Sequence, residues 1–555
     1  MKDTRREEGV RQTGGTGRAN AITEGVIWKQ LLLFFFPILF GTFFQQLYNT
    51  ADAVVVGRFV GKEALAAVGG STSMLTNLLV GFFVGLSSGA TVIIAQFYGA
   101  GRGQRVSEAV HTAIAFSLLC GILMTVGGLL FSDTALRLMG TPEDIMDNAS
   151  GYLHIYFVGI TANLLYNMGA GILRAIGDSK RPFYFLVISC FTNIALDLLF
   201  VVGLRMGVRG AAVATILSQV VSACLVLGTL MRADGSYRFE IRKTRITPVI
   251  LVRIIRIGFP AGLQSVMYSF SNLVIQSSVN ALGTDTVAAW AAYGKIDSTY
   301  WMIINALGIS ITTFVGQNYG AGRLDRVKRS VYVCLGISCI ITVGLSTILY
   351  LTGGYIYLLF TTDAEVIAIG MKILHFLVPA FVTYLCIEIY SGALRGVGDC
   401  WIPMIMTALG VCVLRVVWIL IAVPIRPDIL TVVFSYPLTW TITTVLFNIY
   451  YLKIIDKMGW YWSFFQKASV FSALQVYLDF INLFLYIIRL MNWNRKWEKI
   501  FQENRSSFAR IKISGILRKT EYAKMKCRNG GKLCSGIIVF FCLKILFLAW
   551  TASFF

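Results

Sequence analysis

Asp197 stands in CFTNIALDLLFVVG (190–203), where nearly every neighbour belongs in hydrocarbon or in a packed core. Asn193 lies one helical turn before it, on the same face. A second carboxylate, Asp52, sits in LYNTADAVVVG (47–57). Carboxylates inside a membrane are costly and mark functional sites. Counted from the ends of their apolar spans, Asp52, Tyr152, Asp197 and Thr215 fall at a similar depth, about 10 Å from the outer boundary. Two carboxylates with neutral oxygens in a low dielectric cannot both stay ionised and unpaired. The group is expected to hold a proton or Na⁺, with Asp52, Asn193 and Asp197 as the Na⁺ ligands. The plain alternative is a structural cluster of hydrogen-bonded polar groups.

The second half of the chain carries a different polar set. Glu388, in LCIEIYSGALRG (385–396), occupies the position equivalent to Asn167, and Arg415 the position equivalent to Ile194. Asp297 lies in the same half. Glu388 and Arg415 are read as a buried ion pair, costly to break from one side. A structural role and a substrate or coupling role suit such a pair equally. The eleven cysteines are scattered without metal-ligand spacing, and His111, His154 and His375 form no cluster. No nucleophile–base pair or hydrolase motif is present. Neither a catalytic residue nor a bound cofactor is expected, so the chain is read as a non-enzyme.

These residues need helices to position them. Of 555 residues, 56% are hydrophobic and 14% charged, with a mean hydropathy of +0.70, too little charge to cover a soluble protein of this length. Apolar runs long enough to cross a bilayer recur along most of the chain. Strand-period alternation is absent, which excludes a β-barrel. The spans read 30–56, 65–98, 109–131, 150–173, 182–203 and 209–231, then 251–281, 287–318, 330–351, 366–394, 402–424 and 430–452.

The two sets of six are one unit written twice. QFYGAGR (96–102) returns as QNYGAGR (317–323), and GILRAIGDSKRP (171–182) returns as GALRGVGDCWIP (392–403), both at an offset of 221. Pro37 and Pro260 come into register with the offset changed by two. A constant offset over such a distance is a strong repeat signal. Six is even, so both units enter from the same side and form parallel repeats about a pseudo-two-fold along the membrane normal. Lys and Arg concentrate in the loops at 99–108, 174–181, 232–248, 319–329 and 395–401, which places both ends of the twelve-helix body in the cytoplasm. Gly81, Gly85 and Gly89 clear one face of the second span for close helix packing.

The organisation is therefore an N-terminal tail (1–28), an N-lobe (29–232), a cytoplasmic linker (233–248), a C-lobe (249–453) and a C-terminal extension (454–555). The net charge of +21 is not one surface: 454–555 alone holds sixteen Lys/Arg against five Asp/Glu. The basic loops set topology, so no nucleic-acid partner is expected. The extension has no counterpart in the other unit. It combines a basic stretch with a final apolar run at 536–555, and no activity is assigned to it.

The two-times-six pattern, QQLYNTADAVVVGRFVG (45–61), GAGILRAIGDSKRP (169–182) and AAYGKIDSTYWM (291–302) resemble the multidrug and toxic compound extrusion family. That resemblance implies an all-α, V-shaped pair of six-helix lobes. It further implies rocker-switch exchange of Na⁺ or H⁺ for hydrophobic or cationic organic compounds. The family's first-lobe cation site matches Asp52, Tyr152, Asn193, Asp197 and Thr215. Its helix-1 proline, a bending point, matches Pro37, and a second-lobe acid matches Glu388 more loosely. Tyr48, Tyr268, Trp301 and Met302 are candidates for stacking on flat organic cations. The chain is expected in a bacterial cell membrane with a cytoplasmic N-terminus, among lipid, as a monomer. The alternative is a lipid-linked saccharide flippase of the same superfamily. Such flippases line their cavity with several arginines, whereas Arg415 is the main one at membrane depth here.

Overall fold

The computed structural model describes residues 21–457. The C-terminal extension lies outside the described residues apart from its first few, which complete the last helix. Twelve described helices are long and apolar enough to cross a membrane: α1 (Ile27–Phe59), α2 (Lys62–Gly99), α3 (Gly103–Leu138), α4 (Glu143–Ala175), α5 (Lys180–Gly203), α6 (Gly207–Met231), α7 (Pro248–Asn280), α8 (Thr284–Gly320), α9 (Leu324–Leu358), α10 (Ala364–Val397), α11 (Trp401–Ile425) and α12 (Ile429–Ile454). The protein is a multi-pass membrane protein. Its helices run several residues past the apolar spans at many ends, because polar first and last turns still gain backbone hydrogen bonds. α2 is interrupted at Gly70.

The repeated motifs are helix stops. Gly101 and its equivalent Gly322 adopt left-handed φ values of 68° and 71°, and Gly177 and Gly398 both adopt 96°. Only glycine enters that region freely. At each stop the glycine N–H bonds back three residues and the next N–H bonds back five, as in Arg102 to Phe97 and Asp178 to Leu173. These are Schellman turns, which satisfy two of the carbonyls a helix end leaves open. The face bearing these four stops also carries the basic loops, and is called the basic face below.

Within the N-lobe, α4 packs on α2, α3 and α6, while α1 packs on α5 and α5 on α6. Within the C-lobe, α8 packs on α9 and α10, and α10 on α12. The first helix of each unit crosses to the other lobe. Ile27, Leu31, Phe34, Phe35 and Ile38 of α1 join the core of the C-lobe, with Phe34 edge-on to Phe314 at 6.4 Å. Ile250, Ile254 and Ile257 of α7 join a core of the N-lobe. Pro37 and Pro260 lie inside α1 and α7, which continue through them, each lacking one backbone hydrogen bond.

The glycines of α2 meet this crossing. A Cβ on Gly85 would strike the backbone of Ala261 and Gly262, one on Gly89 the backbone of Ile254 and Gly258, and one on Gly81 the Ser265 side chain. Their packing partner is thus α7 of the opposite lobe. The segment before α1 docks on the C-lobe as well. Arg326 Nη2 donates to the carbonyls of Ile22 (3.0 Å) and Gly25 (2.8 Å), and Arg323 Nη1 to that of Thr23 (2.6 Å). The linker before α7 docks on α3, through Glu240 N–H to His111 Nε2 (3.1 Å) and Thr247 N–H to Thr112 Oγ1 (3.1 Å).

Candidate cation site

Four helices converge in the half of the N-lobe away from the basic face. Val55 and Val56 of α1, Tyr152 and Tyr156 of α4, Val201 of α5, and Ala211 and Ala212 of α6 form one buried apolar cluster. Each lies within about a turn of a polar residue from the predicted set, or is one. Asp52 follows from α1, Asn193 and Asp197 from α5, Thr215 from α6 and Tyr152 from α4, and all five are buried. Asp52 and Asp197 are close enough to act on each other's charge, and both act on Tyr152. Tyr152 is held by a stack on Tyr156, with centroids 6.3 Å apart.

Local backbone helps to aim Asp197. α5 is α-helical up to that residue and widens into a π-helical turn over Leu198–Gly203. Such turns break the regular register of a helix and occur often at functional sites. One turn before Asn193, Ser189 Oγ donates to the Ser218 carbonyl at 2.8 Å, tying α5 to α6.

What distinguishes the cluster is what its polar atoms do not bond. Asp52 Oδ1, both carboxylate oxygens of Asp197, both amide atoms of Asn193 and Thr215 Oγ1 are buried with no hydrogen-bond partner in the protein. Buried polar atoms are nearly always paired, so a group of orphans from four neighbouring side chains makes this cluster a candidate site for a cation or proton. Carboxylate, amide and hydroxyl oxygens together suit a hard cation such as Na⁺, and the carboxylates alone suit a proton.

Gln219 extends the set and escaped the sequence reading. It lies one turn beyond Thr215 on α6, is buried, leaves Oε1 unpartnered, and stands beside Tyr48 and Tyr156. Its i+4 spacing from Thr215 was the available signal. Asn163 was also missed. Its carbonyl and side-chain oxygen accept from Asn167 Nδ2 at 2.9 and 3.0 Å, so Asn167 is satisfied within its own helix.

In the C-lobe the expected Glu388–Arg415 ion pair does not form. Arg415 Nη2 donates to Thr439 Oγ1 at 3.3 Å and its guanidinium lies 4.0 Å over the Tyr436 ring, both on α12. Glu388 instead packs against Gly308 of α8 and accepts from Tyr384 at 3.4 Å. The 221 offset placed both residues along their helices, but it could not say which way each points around the helix axis. Asp297 accepts from Trp301 Nε1 (2.7 Å) and Tyr293 (3.3 Å), and also feels the Arg415 charge.

The aromatic candidates separate. Tyr48 is buried beside Asp52, so it belongs to the surroundings of the cation cluster. Trp301 is half-buried in an aromatic group with Tyr384 (4.7 Å) and Trp440 (6.2 Å). Tyr268 is half-buried and shares a hydroxyl contact of 3.2 Å with Tyr384, and Met302 is half-buried.

The MatE family model matches residues 37–199 and 260–421, one match in each six-helix unit. The chain is 29% identical over 439 residues to the probable multidrug resistance protein YoeA of Bacillus subtilis (strain 168), covering 78% of this chain and 95% of that protein. It is 25% identical over 352 residues to an FAD transporter of Shewanella oneidensis, covering 61% of this chain and 76% of that protein. Among solved structures, it is similar to the outward-facing conformation of a multidrug resistance MATE family transporter of the MOP superfamily. The TM-score there is 0.74, at 24% identity, over 80% of this chain and all of the other. A MOP superfamily transporter from Pyrococcus furiosus gives a TM-score of 0.75 at 24% identity, over 81% of this chain and all of that one. A family match in both units, covering more than half the chain, settles membership: the chain belongs to the MatE family of multidrug and toxic compound extrusion transporters.

Proposed function

We propose that the protein is a secondary active antiporter of the bacterial cell membrane, exporting hydrophobic and cationic organic compounds in exchange for Na⁺ or H⁺. The observation that carries this reading is the group of unpartnered buried oxygens on Asp52, Asn193, Asp197 and Thr215. The relatives named as multidrug resistance proteins support the substrate class. The basic face is taken as cytoplasmic from its Lys and Arg loops.

Export against a gradient requires the ion and the drug to favour different states. Without an ion, Asp52 and Asp197 repel across the junction of α1 and α5. A cation or proton entering from the outer side removes that repulsion and lets the two helices close together. α1 transmits the change, because its outer half lies in the N-lobe core while its inner half packs on the C-lobe. Pro37 lies toward the end of the inner half, where Ile38 and Leu39 are the last α1 residues packed on the C-lobe core, and weakens the helix there. The half-buried aromatics Tyr268 and Trp301 offer faces for flat organic cations.

The flippase reading is the weaker one. Arg415 is the one arginine among the described residues with a buried side chain, and it is already stacked on Tyr436.

The test is efflux of ethidium from proteoliposomes holding the purified chain, under an imposed Na⁺ gradient and separately under a pH gradient. Export driven by either gradient supports the antiporter and names the ion. Export driven by neither, with translocation of a lipid-linked saccharide in the same vesicles, would overturn it.

A further inference from the structure

Gln96 and Gln317 are the same residue of the two units, 221 positions apart. Each lies in the last turn of its helix, α2 or α8, at the basic face. Gln96 Nε2 donates to the Gly396 carbonyl at 2.8 Å, and Gln317 Nε2 donates to the Ala175 carbonyl at 2.6 Å. Ala175 and Gly396 are related by the same offset. The two bonds are one contact made twice about the pseudo-two-fold, and each runs from one lobe to the other.

The acceptors are carbonyls that the helix stops leave over. The Schellman turn ending α4 uses the carbonyls of Leu173 and Arg174, and the one ending α10 uses those of Leu394 and Arg395. The next carbonyls along are Ala175 and Gly396. Each lobe thus presents an open acceptor that the other lobe's glutamine fills. The backbones around them touch as symmetrically: a Cβ on Gly99 would strike the Gln317 carbonyl, and one on Gly320 the Gln96 carbonyl. At the basic face, loop water can replace both bonds when the lobes part, so the contact is reversible in a way a dry apolar seam is not.

We infer that Gln96 and Gln317 are paired positioning residues that latch the basic face shut, and that both bonds break together when the lobes open there during transport. The inference rests on the alternating-access reading above, but its readout needs neither ion nor drug.

The experiment places spin labels, carried by non-canonical amino acids, at the exposed and equivalent positions Gln104 and Asp325. Their separation is read by double electron–electron resonance in nanodiscs. The unsubstituted chain should populate mainly the short distance. One amide–carbonyl bond should shift the long-to-short ratio about 2- to 13-fold, so Gln96→Leu and Gln317→Leu should each raise it by that factor. The double variant should raise it by about the product of the two. Gln276→Leu should change nothing, since Gln276 bonds only within its own helix, to Asn280. A double variant that is folded and keeps the unsubstituted distance ratio overturns the latch, whatever happens to its melting temperature. If the double variant does not fold, Gln96→Asn decides: it keeps the amide but is one methylene too short, and an unchanged ratio overturns the inference. Distances that shift as stated while no ion gradient drives dye export sink the antiporter reading and leave the latch standing. Coupled export with unmoved distances does the reverse.

Discussion

Gly89→Ala perturbs the lobe contact directly, at the crossing of α2 and α7. An added Cβ would lie 2.7 Å from the Gly258 nitrogen and 3.0 Å from its Cα, and nearer still to the Ile254 carbonyl oxygen. These are backbone atoms, so no rotamer change relieves them. α2 and α7 must separate by about 1 Å to restore ordinary contact. Overpacking of this kind costs about 1–3 kcal/mol. Alanine also stabilises an isolated helix by about 1 kcal/mol relative to glycine. That gain is the same with the lobes together or apart, so it cancels from the conformational ratio. The net shift away from the closed basic face should be about 5- to 150-fold. The assay is the label pair at Gln104 and Asp325, read beside the initial rate of dye export. Gly127→Ala is the control, because nothing lies within 4 Å of its Cβ. A folded Gly89→Ala protein with unsubstituted distances and rate would show that this crossing does not move in the transport cycle.

Three further outcomes follow from the geometry. Arg415→Met should lower the unfolding free energy by less than about 1.5 kcal/mol, since it removes a stack, one bond to Thr439 and only a distant attraction to Asp297; a loss of about 3–5 kcal/mol would mean that Arg415 forms a direct buried ion pair. Trp301→Phe removes the 2.7 Å bond to Asp297 and leaves its half-buried carboxylate with Tyr293 as hydrogen-bond partner, so thermal unfolding in detergent should register a loss of about 1.5–3 kcal/mol. An unshifted melting curve would contradict that bond. Arg326→Ala should raise amide exchange across residues 21–26 by about 10-fold or more, because it releases the carbonyl of Gly25 and leaves that of Ile22 with only the longer bond from Asn318 (3.4 Å); unchanged protection would show that the segment is held by other contacts.

Much of the architecture was legible because its signals are periodic. Apolar runs mark membrane helices, and the 221 offset marks the repeat. Charge in an apolar run is equally conspicuous, so Asp52 and Asp197 stand out from the sequence alone. Neutral polar residues are quieter. Gln219 shares a helix face with Thr215 through its i+4 spacing, and Asn163 with Asn167, a weak signal beside a charge, so packing is what shows that they face inward. The azimuth of a side chain was also hidden. Glu388 and Arg415 share a depth range, yet one faces Gly308 of α8 and the other faces α12. The glycines at 81, 85 and 89 announced close packing but not its partner, since contact with α7 depends on how two lobes meet. Gln96 and Gln317 appeared in the repeated motif as flanks of a turn. Their role depends on carbonyls left open at the ends of α4 and α10, which only the three-dimensional hydrogen-bond pattern identifies.

The central claim is that the polar cluster of the N-lobe binds the coupling ion. It is tested most directly by comparing Asp197→Asn with the unsubstituted chain for dye export from proteoliposomes, under the gradient that drives the latter. The substitution is nearly isosteric, so packing around the fully buried side chain is kept while its charge is removed. The account predicts that gradient-driven export falls to the level of empty vesicles in a protein that still folds and still binds dye. Export at the unsubstituted rate would contradict it. Asp197 would then be part of the scaffold, and Glu388 would be the next residue to replace.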